Sequence, residues 1–327
     1  MHLIEMASNS SDDSLLTLYK HAGVSPVLVL IVGARWLIGT LGIVSNACLV
    51  YVTAKSSWLR SPCNILICIN ALLCAVCQYN HSVPMFLVLT GINFIPISTC
   101  FYFMALPLTA NFMVNCYSLA IGIDRLISVL FPLWQRKVNI FLYISVIILI
   151  CAINPTFMMP LYLPVLREFG DKQVMCFTTD LSAYGKVAEV IYPMGLAFNV
   201  AIVVVYLLLW LVLKLKGNKA ATNYTRKIFK SLAMIMAVTV IGWMLSMLVR
   251  SFVLPYVKLS PFNKMLLSTF LTCFVNIAML SDSPILCIFS QEYRRAFNIH
   301  LFSHFCTKID DRNTDTNQSP LFINRNQ

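Results

Sequence analysis

The chain has 327 residues, 59% hydrophobic and 11% charged, with a mean hydropathy of +0.78 and a formal net charge of +11. Soluble domains carry roughly 25% charged residues, so a chain of this length cannot cover itself in water and must use lipid as part of its solvent. It has no alternating ten-residue barrel pattern, and no phosphate loop, Gly-x-Ser-x-Gly, His-Glu-x-x-His or dinucleotide fingerprint, which leaves a helical membrane protein with no enzyme signature and no cofactor site.

Residues 1–26 are polar and hold no run long enough for a signal-peptide core, so the first helix is expected to serve as the targeting signal. Asn9-Ser10-Ser11 in this segment is a candidate glycosylation sequon. Seven apolar stretches follow, each long enough to span: Val27–Ala54, Asn64–Leu89, Thr99–Leu133, Val138–Leu163, Glu189–Leu213, Ser231–Val253 and Met265–Phe289. The expected fold is an all-α bundle of seven transmembrane helices over residues 27–290. Fifteen Lys and Arg fall in the connections on one side, six of them between Lys214 and Lys230, and six fall on the other. The positive-inside rule then places the N-terminus outside and the tail in the cytoplasm. The positive charge reads as topology plus attraction to anionic lipid, not as nucleic-acid binding. Gln291–Phe305 reads as an amphipathic helix on the inner leaflet, with Phe297, Leu301 and Phe302 toward lipid and Arg294 and Arg295 at the headgroups. Cys306 ends this segment (291–306), either as a palmitoylation site or as a free thiol. His300 and His304 share its face, but two ligands do not make a metal site. Residues 307–327 form a polar tail expected to be disordered.

Charge inside the apolar stretches is scarce and informative. The third carries adjacent Asp124 and Arg125 at its cytoplasmic end, and intramembrane ionisable residues are usually paired and functional. Cys100 precedes Arg125 by 25 residues, about 37 Å of helix, enough to cross a bilayer. Of twelve cysteines only Cys100 and Cys176 fall at the outer face, where an oxidising medium favours their bonding to each other. Cys74-Ala75-Val76-Cys77 lies within an apolar helix with no βαβ context and reads as structural.

With these landmarks in order, residues 27–306 resemble the rhodopsin-like G-protein-coupled receptors. Asp124-Arg125-Leu126 stands where that family has Asp-Arg-Tyr, and Pro132 follows at the family's spacing. Asn46, Pro193, Trp243 and Pro284 match landmarks of the first, fifth, sixth and seventh helices, and Cys100–Cys176 matches the family's disulfide. The phrases CNILICINAL, IGIDRLISVLFP, VIGW and SQEYRRAF are similar to the srsx class of nematode serpentine chemoreceptors. The resemblance implies a plasma-membrane receptor, sensory cilia being one expected location. It binds an outside small-molecule cue and activates a heterotrimeric G protein, with Asp124, Arg125, Trp243 and Pro284 as switch residues. A peptide-hormone receptor is the alternative within the class. A transporter is the competitor outside it, disfavoured by the absence of internal repeats and broken midplane helices.

The chain also departs from the pattern. Cys74 stands where a second-helix Asp is usual, which puts sodium modulation in doubt; the sixth helix lacks the proline after Trp243; and Ser283-Pro284-Ile285-Leu286-Cys287 replaces Asn-Pro-x-x-Tyr. Helix six therefore has to hinge by another device.

For the ligand, Pro107, Asn111 and Asn115 form an inward stripe of the third helix. Pro107 argues against an aminergic ligand, and Ile277 against a retinal lysine. Asn111 and Trp243 are expected to meet at the pocket floor. Alternatively the two asparagines bond neighbouring helices, the favoured reading for Asn115. Arg250, seven residues beyond Trp243, either points inward to clamp an anionic group or snorkels to headgroups. For Arg35 and Trp36 snorkelling is favoured. Glu189 either reads a cation or faces water, and Asp282 is expected to join Asn46 in a polar network.

Overall fold

A computed structural model describes residues 16–301, except 132, 134–136, 216–222, 255 and 258. Asn9, Pro132, Phe302, His304, Cys306, the tail 307–327, and Lys216 and Lys219 of the basic connection lie outside the described residues.

Several helices begin in the same way. Ser25, Ser61 and Ser260 each precede a proline in the first helical turn, while Asn139 and Ser290 open two more helices. Proline there gives up only an N–H that has no helical acceptor, and the cap side chain satisfies another of these orphan donors. Ser61 and Ser260 hydroxyls accept from the Asn64 and Asn263 amides at 3.4 and 3.3 Å, and Asn139 accepts from Phe141 and Leu142 at 3.0 and 3.4 Å.

The helices are α1 (Pro26–Lys55), α2 (Pro62–Thr90, through a 3₁₀ turn at Tyr79–His81), α3 (Ile97–Leu130), α4 (Ile140–Phe169), α5 (Gly185–Leu215), α6 (Asn223–Leu248), α7 (Pro261–Leu280 and Asp282–Phe289) and α8 (Gln291–His300). Six are long and apolar enough to cross a membrane, and α6 contributes a shorter apolar stretch, Ala237–Leu248. The chain is thus an all-α seven-helix membrane bundle. It begins α5 and α6 earlier than hydropathy indicates, because hydropathy measures the lipid-contacting length whereas helical hydrogen bonding continues past it.

Packing runs α1–α2–α3–α5–α6–α7 and back to α1, with α4 outside this ring against α3. Phe141, Leu149, Ile153 and Phe157 of α4 are exposed, the signature of a helix bathed in lipid. Small residues let backbones approach where lipid gives no hydrophobic drive for association. A Cβ on Gly42 of α1 would collide with the Gln78 side-chain amide of α2, and one on Gly242 of α6 would meet the Phe274 carbonyl of α7 at 3.2 Å.

A two-residue antiparallel pair joins β1 (Ile95–Pro96) to β2 (Gln173–Val174), next to the Cys100–Cys176 disulfide. The Ile97 and Ser98 amides, orphan donors of the first α3 turn, donate to Lys172 and Gly170 carbonyls at 2.9 and 3.0 Å. The α4–α5 connection is therefore tied to the start of α3 by covalent, strand and capping contacts together.

α8 corrects an expectation. Phe297 does not face lipid: it is buried with Tyr293 and Ala296 in the core cluster shared with α1, α2 and α7. Leu301 is partly buried against the same cluster. Arg294 turns back to donate to the Cys287 carbonyl at 3.1 Å and to that of Ile288, closing the end of α7. Trp58 stacks on His300 and lies under Arg295, so α8 docks on the α1–α2 connection.

Candidate functional site

Three polar clusters run along the bundle. At one end of α3, Arg125 donates to Asp124 at 3.1 Å, and the Tyr143 hydroxyl of α4 donates to the other carboxylate oxygen at 3.1 Å. Asp124 is fully buried, while the Arg125 side chain is 19% exposed. The carboxylate is thus held by its neighbour and by a second helix, which offsets much of the cost of burying it. Tyr206 of α5 brings a buried hydroxyl, unpartnered among the described residues, within electrostatic reach of both charges. Neither tyrosine was singled out in the sequence. A tyrosine in an apolar run resembles any other aromatic until its partner on another helix is known.

In the middle, a cavity about the size of one water is lined by Asn70, Cys74, Val114, Ser118, Thr239, Trp243, Met279 and Asp282. Asp282 is buried here beside Asn70 and Ser118. Asn46 does not join it as expected: its amide donates to the Gly42 and Met279 carbonyls at 2.9 and 3.1 Å, bridging α1 to α7. Pro284 lies just past the break between the two α7 segments at Ser281. Of the two asparagines of α3, Asn111 bonds a neighbouring helix, the alternative reading, and Asn115, among the described residues, does not. Asn111 accepts from the Cys77 thiol of α2 at 3.6 Å, whereas Asn115 bonds back to the Asn111 carbonyl of its own helix at 3.5 Å.

At the disulfide end, α6 leaves α-helical geometry for a π turn, Val249–Val253, closed by the Leu254 amide on the Val249 carbonyl at 2.9 Å. This irregularity lies beyond Leu245, the position of the absent proline, and π turns recur at functional positions. Arg250 sits in that turn and points inward. It donates to the Ser246 hydroxyl at 3.2 Å, the Ser268 carbonyl at 3.2 Å and the Thr272 hydroxyl at 3.0 Å. Arg35 overturns the snorkelling expectation: it is 2% exposed, donates to the same Thr272 oxygen at 3.3 Å, and lies 4.1 Å from the centre of the Phe177 ring. The hydroxyl that captures it is 237 positions away, beyond the reach of any local pattern. Trp36 and Glu189 are exposed.

These clusters form a polar path inside an apolar bundle, with a charged pair at one end and two converging arginines at the other. The family described as serpentine type 7TM GPCR chemoreceptor Srsx matches residues 39–301. A comparison with curated proteins gave no match.

Proposed function

The chain belongs to the Srsx family of serpentine seven-transmembrane G-protein-coupled chemoreceptors, and from that membership we propose how its own residues divide the work. The disulfide end and the N-terminus face outside, and the Asp124–Arg125 end faces the cytoplasm of a sensory cell, at its plasma membrane or cilium. A small-molecule cue enters among α3, α5, α6 and α7. Its binding favours the arrangement in which α6 has moved from α3, because a ligand shifts a conformational equilibrium only by its difference in affinity for the two states. Arg125 then leaves Asp124 and presents its guanidinium to a heterotrimeric G protein.

The observation that carries this reading is the Asp124 carboxylate, buried and bonded both to Arg125 and to Tyr143. Such a pair is stable while closed and costly to open without a new partner, which is the property of a switch. Trp243 and Thr239 of α6 and Asp282 of α7 line one cavity between the two ends, so movement of α6 is felt there. The test is G-protein activation in cells expressing the receptor, screened with pooled metabolites and peptides, beside Arg125→Ala at matched surface expression. The response is expected to vanish in the variant. A ligand-evoked current or transport that survives it would replace the receptor mechanism with a conduction one.

A further inference from the structure

We propose that Arg35, Arg250 and Thr272 form a binding site for the carboxylate of a small acidic ligand, covered by Phe177. The proposal names the ligand class for the receptor reading above and rests on it. It begins with an imbalance of donors and acceptors. Two guanidiniums carry five N–H donors each and no acceptor. They meet one hydroxyl on α7, that of Thr272, which receives both arginines and passes its own proton to the Ser268 carbonyl at 2.8 Å. That carbonyl already accepts from Arg250. With the Ser246 hydroxyl and a Tyr192 side-chain contact, these are the neutral partners of Arg250. Among the described residues, Arg35 Nε is buried with no acceptor. Thr272 Oγ1 is saturated, so the surrounding helices leave donors in excess.

Charge is out of balance as well. Among the described residues neither arginine forms an ion pair, although the two sit side by side in the interior of a membrane bundle. Buried like charges repel, and a buried cation without a counterion is costly. Asp180, in the turn Thr178–Leu181 after the disulfide, acts electrostatically on both guanidiniums, but its oxygens accept from the Phe177 amide at 3.0 Å and the Thr179 hydroxyl at 3.5 Å. The two guanidiniums thus lie together with no carboxylate in ion-pair contact among the described residues, which suits an added anion. A carboxylate supplies that charge and two acceptor oxygens in the planar spacing that a guanidinium fork matches.

The cover fits an acid with an apolar body. Phe177 follows the disulfide-bonded Cys176 and lays its ring over Arg35, within a buried cluster containing Leu28, Ile31, Val32 and Met265. Hydrocarbon beside the arginines would rest on that cluster and exclude water, which strengthens the ionic contact. Arg35 lies just ahead of the residues matched by the family, so the pairing is read from this chain alone.

The test is thermal unfolding of the purified full-length receptor in lipid nanodiscs, with sodium butyrate, octanoate or benzoate against butyramide, octanamide or benzamide at equal ionic strength. At least one acid is expected to raise Tm by about 2 °C or more while its amide does not. Arg35→Gln and Arg250→Gln should each abolish the shift, and each should unfold no earlier than wild type in the absence of acid, since one of two like charges has gone. Equal shifts for acids and amides, no shift with any acid, or a shift retained in both variants would overturn the site. A shift produced by sodium phosphate or sulfate but by no carboxylate would overturn the carboxylate assignment. Should the variants fail to fold, the acid-against-amide comparison in wild type decides alone. The assay contains no G protein, so its failure removes the acid site only. A silent G-protein screen beside a clear acid shift removes the coupling reading only.

Discussion

The two ends of the bundle treat the same side chain in opposite ways. At the Asp124 end, one arginine finds an internal carboxylate, and a tyrosine from a neighbouring helix secures that carboxylate. At the disulfide end, two arginines share the Thr272 hydroxyl, Arg250 alone reaches the Ser268 carbonyl, and neither finds an ion pair among the described residues. A charge paired with a carboxylate from within is at rest and must be pulled open, whereas one hydrogen-bonded to neutral groups keeps more of its attraction for an outside partner. On the proposed function, the bundle has a closed end and a receptive end.

Cutting the strap should separate the two ends most sharply. Cys100→Ser removes the cross-link that positions Phe177 over Arg35. Loss of a disulfide closing a loop of this length costs about 4 kcal/mol, so a large fall in surface receptor and in Tm is expected, measured by epitope labelling and thermal unfolding. In the receptor that still reaches the surface, ligand potency should drop while basal signalling stays unchanged. A matching change in basal signalling would show that the ends are not separable.

Asp124→Asn attacks the closed end. Removing one partner of a buried pair costs about 3 kcal/mol or more, the low end being apt because Arg125 is partly exposed. Ligand-free G-protein activation should rise several-fold, and unchanged basal activity at equal surface expression would count against Asp124 as the restraint. Tyr143→Phe is the mildest change. It deletes one hydrogen bond to a charged acceptor, worth about 1.5 kcal/mol, and should raise basal activity less than Asp124→Asn does. In an Asp124→Asn background, Tyr143→Phe should add little, since the two act through one contact.

Much of this was legible in the sequence, and the parts that were not share a cause. The seven apolar stretches, the Asp124–Arg125 pair and the Cys100–Cys176 bond could be read because membrane thickness, charge cost and redox compartment each act on a short stretch or on composition. Arg35 and Phe297 could not, because lipid and protein interior are equally apolar. Periodicity says which residues share a face, but not whether that face meets a neighbour or a lipid tail. Arg35 is held inward by Thr272 and Phe177, and Phe297 by the cluster around Tyr293, partners that only the tertiary fold supplies. The π turn around Arg250 was hidden for another reason: the missing proline announced that helix six would differ, while the form of the difference depends on packing against α7.

The tie between α3 and the connection above it has a mechanical consequence. Disulfide, strand pair and two backbone hydrogen bonds all converge on residues 95–100, so the helix is clamped covalently at one end, while the other is held by α4 through the Tyr143 hydroxyl on Asp124. Arg125 sits about 37 Å along that lever, so a tilt of about 3° at the clamp carries it sideways by about 2 Å. That stroke is enough to part a 3.1 Å contact with any group that does not travel with the helix, such as the Tyr143 hydroxyl. A displacement too slight to notice at the ligand can therefore be decisive at the far end, and the rigidity of the clamp sets the gain.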